Sequence, residues 1–163
     1  VNFHETSVTD AGIHALGKLP YLQSLLLSKN RITGKPLAAL GPMPELDSLY
    51  LNETDVGDEL QEFLNLTPAL SQLLLAKTRI TDVLLCGFPE FPKLEVLGID
   101  GTVVTDSGVL NLPRLPMLKE FYLDETKITR AALKRLKSFA ALKVVYAKGT
   151  PLTEEEIEQA LIR

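Results

Sequence analysis

The chain has 163 residues, of which 45% are apolar and 23% are charged, and its formal net charge is −4. That length suits one domain with a buried core, and the acidic balance argues against a nucleic-acid binder, which usually carries a basic excess. A single cysteine, Cys86, excludes a disulfide framework, and no apolar run reaches the roughly 18 residues of a membrane span.

A repeat of 24 residues runs through the whole chain without a slip in register. Three apolar columns recur at this interval: Leu22, Leu46, Leu70, Leu94, Leu118 and Leu142; Leu25, Leu49, Leu73, Leu97, Phe121 and Val145; and Leu27, Leu51, Leu75, Ile99, Leu123 and Ala147. Two further columns are Thr6, Asn30, Thr54, Thr78, Thr102, Thr126 and Thr150, and Val8, Ile32, Val56, Ile80, Val104, Ile128 and Leu152. Self-similarity at such a period indicates a solenoid, in which stacked copies share one core.

Each copy begins with a predicted strand and continues into a predicted outer segment. The alternation of Leu25 and Leu27 has the period of a short strand with one buried face. Because every copy enters the stack in the same way, we expect the strands to be parallel and to form a concave sheet.

The outer segments carry signals for short helices. We predict helix N-caps at Thr9, Thr81, Thr105, Thr129 and Thr153. Thr153 and Glu156 have the spacing of a capping box. The acids that follow the first, second and third of these threonines, Asp10, Asp82 and Asp106, are placed where the helix dipole favours negative charge.

The repeat pattern also resembles a known family. Each copy has the form L-x-x-L-x-L-x-x-T-x-I-T, and the second copy, Leu22 to Ile32, has Asn30 in place of Thr. This pattern resembles the leucine-rich repeat family over essentially all of the chain. The stretch Val104-Thr105-Asp106-Ser107-Gly108-Val109 is similar to the bacterial and cysteine-containing types of repeat.

The resemblance implies an α/β fold, a right-handed solenoid with a concave parallel β-sheet and short helices or 3₁₀ turns on the convex side. Family members usually place Asn or Cys where this chain has Thr in six of seven copies. Thr offers one hydroxyl in place of the family's side-chain ladder to the neighbouring backbone.

We predict a single domain over residues 1–163. It comprises a partial repeat, 1–20, and the repeats 21–44, 45–68, 69–92, 93–116, 117–140 and 141–163. Val1 and Phe3 fall in strand columns, so the chain starts inside a repeat, and we expect it to be a fragment of a longer polypeptide. Arg130 and Glu154 share a column, which predicts that the basic sixth outer segment packs against the acidic last one.

The residues between the buried leucines are the candidate binding residues. One such column is Asn2, Leu26, Tyr50, Leu74, Gly98, Tyr122 and Tyr146, and it holds three of the four tyrosines. Tyrosine is enriched at interfaces because it combines a large contact area with a polar group, so the column predicts a binding groove. The alternative is that aromatic side chains simply suit the surface of a sheet.

Charge and a missing side chain mark the C-terminal half of this face. Gly98 interrupts the bulky column and predicts a dent that would accept one partner side chain. Asp100 and Asp124 share a column on adjacent strands, with Glu120 close by, which favours a partner with a basic side chain. The open alternatives are a plain solvated surface and, for paired carboxylates, calcium binding or acid–base chemistry.

No other constellation indicates chemistry. His4, His14 and Cys86 lack metal-ligand spacing, and there is no phosphate loop or nucleophile triad, so we expect no cofactor, no metal and no enzyme activity. The basic residues Arg130 and Lys134 share columns with acids, which argues against nucleic acid, and no membrane partner is expected. One Cys slightly favours the cytoplasm for what we expect to be a soluble protein.

The resulting interpretation is a non-catalytic module that binds a protein or peptide on its concave face. Three alternatives stay open. The chain is the substrate-targeting domain of a larger enzyme or receptor whose catalytic part lies elsewhere; it acts catalytically or activates a GTPase, as some members of the resembling family do; or it associates weakly end to end through the strand edge near Val1 to Phe3 instead of remaining a monomer.

Overall fold

A computed structural model of the chain describes residues 1–19 and 21–162. Positions 20 and 163, which end the first and last predicted repeats, lie outside the described residues.

Within the described residues, six strands of three residues each form one parallel sheet in chain order. They are β1 Ser24–Leu26, β2 Ser48–Tyr50, β3 Gln72–Leu74, β4 Val96–Gly98, β5 Glu120–Tyr122 and β6 Val144–Tyr146. Each residue pairs with its counterpart in the next copy, as Leu25 does with Leu49, so the register confirms the 24-residue repeat. Asn2 adds an isolated bridge to Leu26, so the first copy pairs without forming a full strand.

Short helices and 3₁₀ turns cover the other side of the sheet. The helices are α1 Asp10–Ile13, α2 Lys35–Ala38, α3 Gln61–Leu64, α4 Asp82–Cys86, α5 Asp106–Asn111, α6 Leu133–Ser138 and α7 Glu154–Leu161. The 3₁₀ turns are His14–Lys18, Asp58–Leu60 and Arg130–Ala132. The predicted α/β solenoid of parallel strands and short outer helices is therefore confirmed.

The core is one continuous layer between the strands and the outer segments. The central residue of each of the first five strands is fully buried, and so are the apolar columns that follow them. Phe121 meets Phe139 edge to face, with ring centroids 6.5 Å apart. Phe88 and Phe91 make a similar contact at 5.1 Å. Because each copy packs only on its neighbours, this layer fixes the relative positions of the strands and hence of the side chains that they carry.

Four of the five predicted helix caps are confirmed. The side chains of Thr81, Thr105 and Thr129 accept hydrogen bonds from backbone amides of the turns that they start. Thr153 and Glu156 form the predicted capping box. The prediction is wrong for Thr9, whose side chain makes no capping bond. Thr81, Thr105 and Thr129 each donate their hydroxyl to an aspartate of the preceding repeat, which orients it, and within the described residues Thr9 has no such neighbour.

Aspartates at the starts of the outer segments tie consecutive repeats together. Asp82 Oδ1 accepts a hydrogen bond from the backbone amide of Thr105 at 2.8 Å, and Asp82 Oδ2 accepts one from the Thr105 hydroxyl at 2.6 Å. We call this arrangement an aspartate clamp. In the part of the chain that the structure describes it occurs four times, in the pairs Asp10 with Thr33, Asp58 with Thr81, Asp82 with Thr105 and Asp106 with Thr129. The sequence assigned Asp10, Asp82 and Asp106 only to the helix dipole, so their contacts across the repeats are a structural finding.

Two interfaces between the described repeats lack the clamp, and at one of them both of its members are replaced together. At one interface the two positions are Gly34 and Gly57, and Glu59 Oε1 accepts from both backbone amides, at 2.9 and 3.1 Å. Although burial raises the pKa of Glu59, these amide donors hold that pKa below its usual value. At the last interface Arg130 takes the place of the aspartate and Thr153 is retained. Arg130 forms an ion pair with Glu156, so the basic outer segment does pack against the acidic one, through Glu156 instead of Glu154.

The hydroxyls of the buried threonine column hydrogen-bond to carbonyls of their own repeats. The hydroxyl of Thr78 donates to the carbonyl of Leu75, three residues earlier, at 2.7 Å, and Thr54, Thr102, Thr126 and Thr150 make equivalent bonds. Asn30 in this column instead spans two repeats: its Nδ2 donates to the carbonyl of Phe3 at 2.7 Å, and its Oδ1 accepts from the Thr6 hydroxyl at 3.0 Å. These threonines therefore do not replace the asparagine ladder, and the aspartate clamps are among the polar contacts that join the repeats instead.

One position in every repeat has a left-handed backbone. The column consists of Glu5, Lys29, Glu53, Lys77, Gly101, Glu125 and Gly149, all with φ between 52° and 77°. This conformation strains any residue with a Cβ. We expect Glu53→Gly, at an exposed site with φ 55°, to raise the free energy of unfolding by roughly 0.5–1 kcal/mol in urea titration. Gly101→Ala should lower it, and an unchanged or reduced stability for Glu53→Gly would contradict the strain argument.

Candidate functional site

The open side of the sheet, which we call the concave face, is lined by three columns of residues. The central column is Leu26, Tyr50, Leu74, Gly98, Tyr122 and Tyr146. The flanking columns are Ser24, Ser48, Gln72, Val96, Glu120 and Val144, and Ser28, Asn52, Ala76, Asp100, Asp124 and Lys148. All six residues of the central column except Gly98 are half-buried or exposed, so the face presents a stripe of apolar and aromatic side chains.

Tyr122 and Tyr146 form a stacked pair at the C-terminal end of the stripe. Their ring centroids lie 4.7 Å apart and the ring planes differ by 14°. The Tyr122 hydroxyl donates to Glu120 Oε2 at 2.7 Å, and this bond, with burial, raises the pKa of Tyr122 to about 12. Tyr122 is therefore neutral at physiological pH and held in one orientation, whereas Tyr146 is 47% exposed. The pair offers a preorganised aromatic surface.

Tyr50 does not join this pair. Strands β3 and β4 lie between it and Tyr122, and its hydroxyl hydrogen-bonds Gln72 Oε1. Tyr50 instead lies between Leu26 and Leu74 in the N-terminal part of the stripe. The three tyrosines that the sequence grouped thus belong to two patches, one mainly apolar and one aromatic. Gln72, which fixes Tyr50, was not identified from the sequence.

Gly98 does not form the predicted open dent. It is buried, and a Cβ placed on it would lie 2.9 Å from Leu74 Cδ2 and 3.6 Å from Asp100 Oδ2. The side chain of Leu74 has moved into the space that a larger residue would occupy. What remains at this position is a shallow site bordered by Leu74 and Asp100, with Tyr122 on the next strand.

Asp100 and Asp124 have a structural role besides their charge. Asp100 Oδ1 accepts from the backbone amide of Asp124 at 3.0 Å, and Asp124 Oδ1 accepts from the amide of Lys148 at 2.7 Å. Asn52 makes the same bond to the amide of Ala76 at 2.8 Å. This column therefore links neighbouring repeats along the edge of the concave face wherever it holds such an acceptor, which excludes the step from Ala76 to Asp100. Those hydrogen bonds explain why these positions hold side chains with acceptor oxygens. They do not require a negative charge, because the amide oxygen of Asn52 makes the same bond.

The surroundings of the Asp100 carboxylate disfavour its negative charge. Burial raises its pKa, and the nearby charges of Asp124 and Glu125 raise it further, against the lowering effect of the amide bond from Asp124. The folded state thus holds the proton of Asp100 more tightly than the unfolded chain. Protonation of Asp100 therefore stabilises the folded state fully at pH values below the ordinary Asp pKa of about 3.9. This stabilisation is lost as the pH rises through the raised pKa of Asp100 in the folded state.

We therefore expect Asp100→Asn to be at least as stable as the wild type at pH 7. The amide oxygen of Asn keeps the bond that Asn52 makes in the same column, and the buried charge is removed. The stability advantage should shrink as the pH falls towards 3, measured by urea unfolding at several pH values. Glu62→Gln, at an exposed site on the convex helix α3, is the control, and an advantage that does not vary with pH would contradict the assignment.

The described residues show no grouped metal ligands and no membrane helix. No three His, Cys, Asp or Glu side chains there lie close enough to hold a metal ion. None of the helices in residues 1–19 and 21–162 combines the length and the apolar character that crossing a membrane requires.

Comparison with known proteins places the fold. No protein-family model and no curated protein sequence matches the chain. Among solved structures, an internalin from Listeria monocytogenes superposes with a TM-score of 0.63 and 17% identity, over 99% of this chain and 50% of the internalin chain. A pollen receptor kinase superposes with a TM-score of 0.53 and 20% identity, over 94% of this chain and 77% of its own.

These two neighbours are leucine-rich repeat proteins, and the chain has the leucine-rich repeat fold. The chain spans about half the length of the internalin chain that it matches. At identities below 25% the likeness concerns the fold, and the function has to be argued from the face itself.

Proposed function

We propose that this chain is a non-catalytic module that binds a protein or peptide on its concave face. The observation that carries the proposal is the stripe of Leu26, Tyr50, Leu74, Tyr122 and Tyr146 on a sheet whose backbone is fixed by the repeat contacts. Aromatic side chains that are partly exposed and already oriented contribute binding energy at a low entropic cost. The face is also open along its length, which suits an extended or protruding segment better than a small molecule.

Charge defines the preferred partner. Glu120, Asp100 and Asp124 border the aromatic end of the stripe, and the net charge of the whole chain is −4. A partner with a basic side chain would relieve the repulsion among these acids, whereas nucleic acid would add to it. We therefore propose a protein or peptide with a basic side chain, and neither nucleic acid nor a cofactor, as what the module binds.

The alternative proposal is that the same face serves as the targeting domain of a larger enzyme or receptor. In that case the concave face recognises the substrate or signal, and the catalytic part lies in another part of the polypeptide. The two proposals share the binding surface. They are distinguished by whether the full-length reading frame encodes a catalytic part beside this chain. A monomer, or weak end-to-end self-association, is the solution state expected under both.

The proposed function is tested by affinity capture from a lysate with three forms of the chain. The first is wild type, the second carries Tyr50→Ala, Tyr122→Ala and Tyr146→Ala, and the third carries Tyr21→Ala. Tyr21 is 84% exposed and lies outside the concave face, so it is a matched control for loss of a tyrosine. We expect a protein that is retained by the wild type and the control and lost from the triple variant. Retention of the same proteins by a folded triple variant would contradict binding on this face.

A further inference from the structure

One carboxylate oxygen of Asp100 receives no hydrogen bond from another described residue. The Asp100 carboxylate accepts from the amide of Asp124 through Oδ1 and interacts with its own backbone amide, and no other described residue donates to Oδ2. Oδ2 lies 3.6 Å from the place of a Cβ on Gly98, on the concave face beside the central stripe. The carboxylate is half-buried, and Asp124 and Glu125 repel its charge. A cationic group at this point would supply the missing donor and offset the repulsion.

Tyr122 offers an aromatic surface to the same point. Tyr146, on the β6 side, covers one face of its ring, and the strand on the other side, β4, has Gly98 directly opposite Tyr122. The second face of the ring is therefore turned towards a residue without a side chain. A cation over a tyrosine ring is attracted by the electron-rich face, most strongly where water is partly excluded.

Leu74 completes the surroundings of this point. Its Cδ2 reaches over Gly98, so an apolar side chain borders the carboxylate and the ring. Lysine and arginine have long apolar stems that pack on such surfaces while the charged end reaches a polar partner. Leu74, Asp100 and Tyr122 together match a basic side chain along its whole length.

The N-terminal part of the stripe lies at a definite distance from this point. Leu26 on β1 and Tyr50 on β2 are both half-buried. The midpoint between these two neighbouring strands lies two and a half strand spacings from Gly98 on β4. At about 4.8 Å per strand this distance is roughly 12 Å. In an extended peptide, residues i and i+4 face the same side and are about 13 Å apart.

We propose that the concave face takes an extended peptide segment with Lys or Arg over Gly98, between Leu74 and Tyr122, and an apolar side chain four residues away, between Leu26 and Tyr50. This inference rests on the proposed function and adds the chemistry and spacing of the segment. The segment crosses the strands, and its basic group binds Asp100 Oδ2. The occupant is a protein or peptide segment, not a free cation, because both ends of the site contribute contacts.

The test uses a displayed library of random 12-residue peptides selected against the intact chain. We expect the enriched peptides to carry Lys or Arg four residues from an aliphatic or aromatic residue. In a synthetic copy of the leading peptide, replacing the basic residue with Gln should weaken binding at least tenfold. With Asp100→Asn as the binding chain, the same replacement should matter less than threefold. Glu62→Gln, on the convex helix α3, removes one charge elsewhere and should leave the tenfold effect intact.

A second variant tests the position of the basic side chain. The Cβ of Gly98→Ala would meet Leu74 Cδ2, the flexible end of a side chain, so the variant should fold with unchanged thermal stability. It should bind the leading peptide at least fivefold more weakly, because the added methyl group displaces Leu74 Cδ2 towards the place of the peptide's side chain.

The two levels of the proposal fail in different ways. Peptides that lose binding to Tyr122→Ala but show no basic residue, or no four-residue spacing, would overturn this inference and leave the proposed function standing. Peptides that bind Tyr122→Ala as well as wild type, or a library that yields no peptide dependent on the concave face, would overturn both.

Discussion

Replacing Asp82 with Ala is expected to lower the free energy of unfolding by about 2–4 kcal/mol. Asp82 forms the central aspartate clamp, with bonds of 2.8 and 2.6 Å to the amide and the hydroxyl of Thr105. Hydrogen bonds to a charged acceptor contribute about 1.5–3 kcal/mol each, and the partly buried amide of Thr105 would be left without its acceptor. The variant also loses an acid from the first turn of α4, a smaller contribution.

Urea unfolding of Asp82→Ala beside Glu62→Ala measures this effect. Glu62 also stands in the first turn of an outer helix, α3, but makes no bond to another repeat among the described residues. We expect Glu62→Ala to change the unfolding free energy by less than about 0.5 kcal/mol. A loss of similar size in both variants would show that the acids act through the helix dipole alone and that the clamp adds nothing.

Tyr122→Ala is expected to weaken binding of the partner by about 2 kcal/mol or more, close to a thirtyfold rise in Kd. Tyr122 is held by its bond to Glu120 and by the stack on Tyr146, so its ring loses little freedom when a partner binds. Truncation removes this preorganised surface and leaves Tyr146 without its neighbour. Large losses of this kind are usually found at well-packed aromatic residues of an interface.

Two control variants distinguish the loss of the Tyr122 ring from the loss of its hydrogen bond to Glu120 and from the loss of a tyrosine elsewhere. Tyr122→Phe keeps the ring and loses only the bond to Glu120, so its affinity should fall less than that of Tyr122→Ala. Tyr21→Ala should bind as the wild type does, because Tyr21 lies outside the concave face. The Kd of each variant is measured by calorimetry after its thermal transition has shown that it is folded. An affinity unchanged in a folded Tyr122→Ala would remove Tyr122 from the binding surface.

The sequence was sufficient to predict the fold because the repeat carries its own register. Once Leu25 and Leu49 are known to be equivalent, parallel pairing follows from the identical entry of each copy, and the structure has that pairing. The Thr81, Thr105, Thr129 and Thr153 caps follow in the same way, since a cap depends on residues two or three positions away.

Contacts between repeats were harder to predict. The aspartate clamp joins residues 23 positions apart, so it crosses from one repeat to the next, and a dipole argument about a single helix accounts for Asp82 without it. The joint replacement of the pair by Gly34 and Gly57 is the signal that was in the sequence. Columns have to be compared in pairs for such a signal to be recognised.

The sequence predicted which residues lie on the candidate site but not how their side chains are arranged there. The positions of Tyr122, Tyr146 and Asp100 on one face follow from the strand period. That Tyr122 stacks on Tyr146, and that Leu74 leans over Gly98, depends on rotamers that the packing of several strands selects. A missing side chain therefore predicted a dent, whereas the neighbouring side chain took up the space.

The most direct test of binding on the concave face is NMR chemical-shift mapping of the chain with the captured partner or the leading selected peptide. We predict that the largest shifts belong to Gly98, Asp100, Tyr122 and Tyr146, with smaller shifts at Leu26 and Tyr50, and that the outer helices α1–α6 stay unperturbed. Shifts confined to those helices, with β1–β6 unchanged, would contradict the assignment of the concave face as the binding surface.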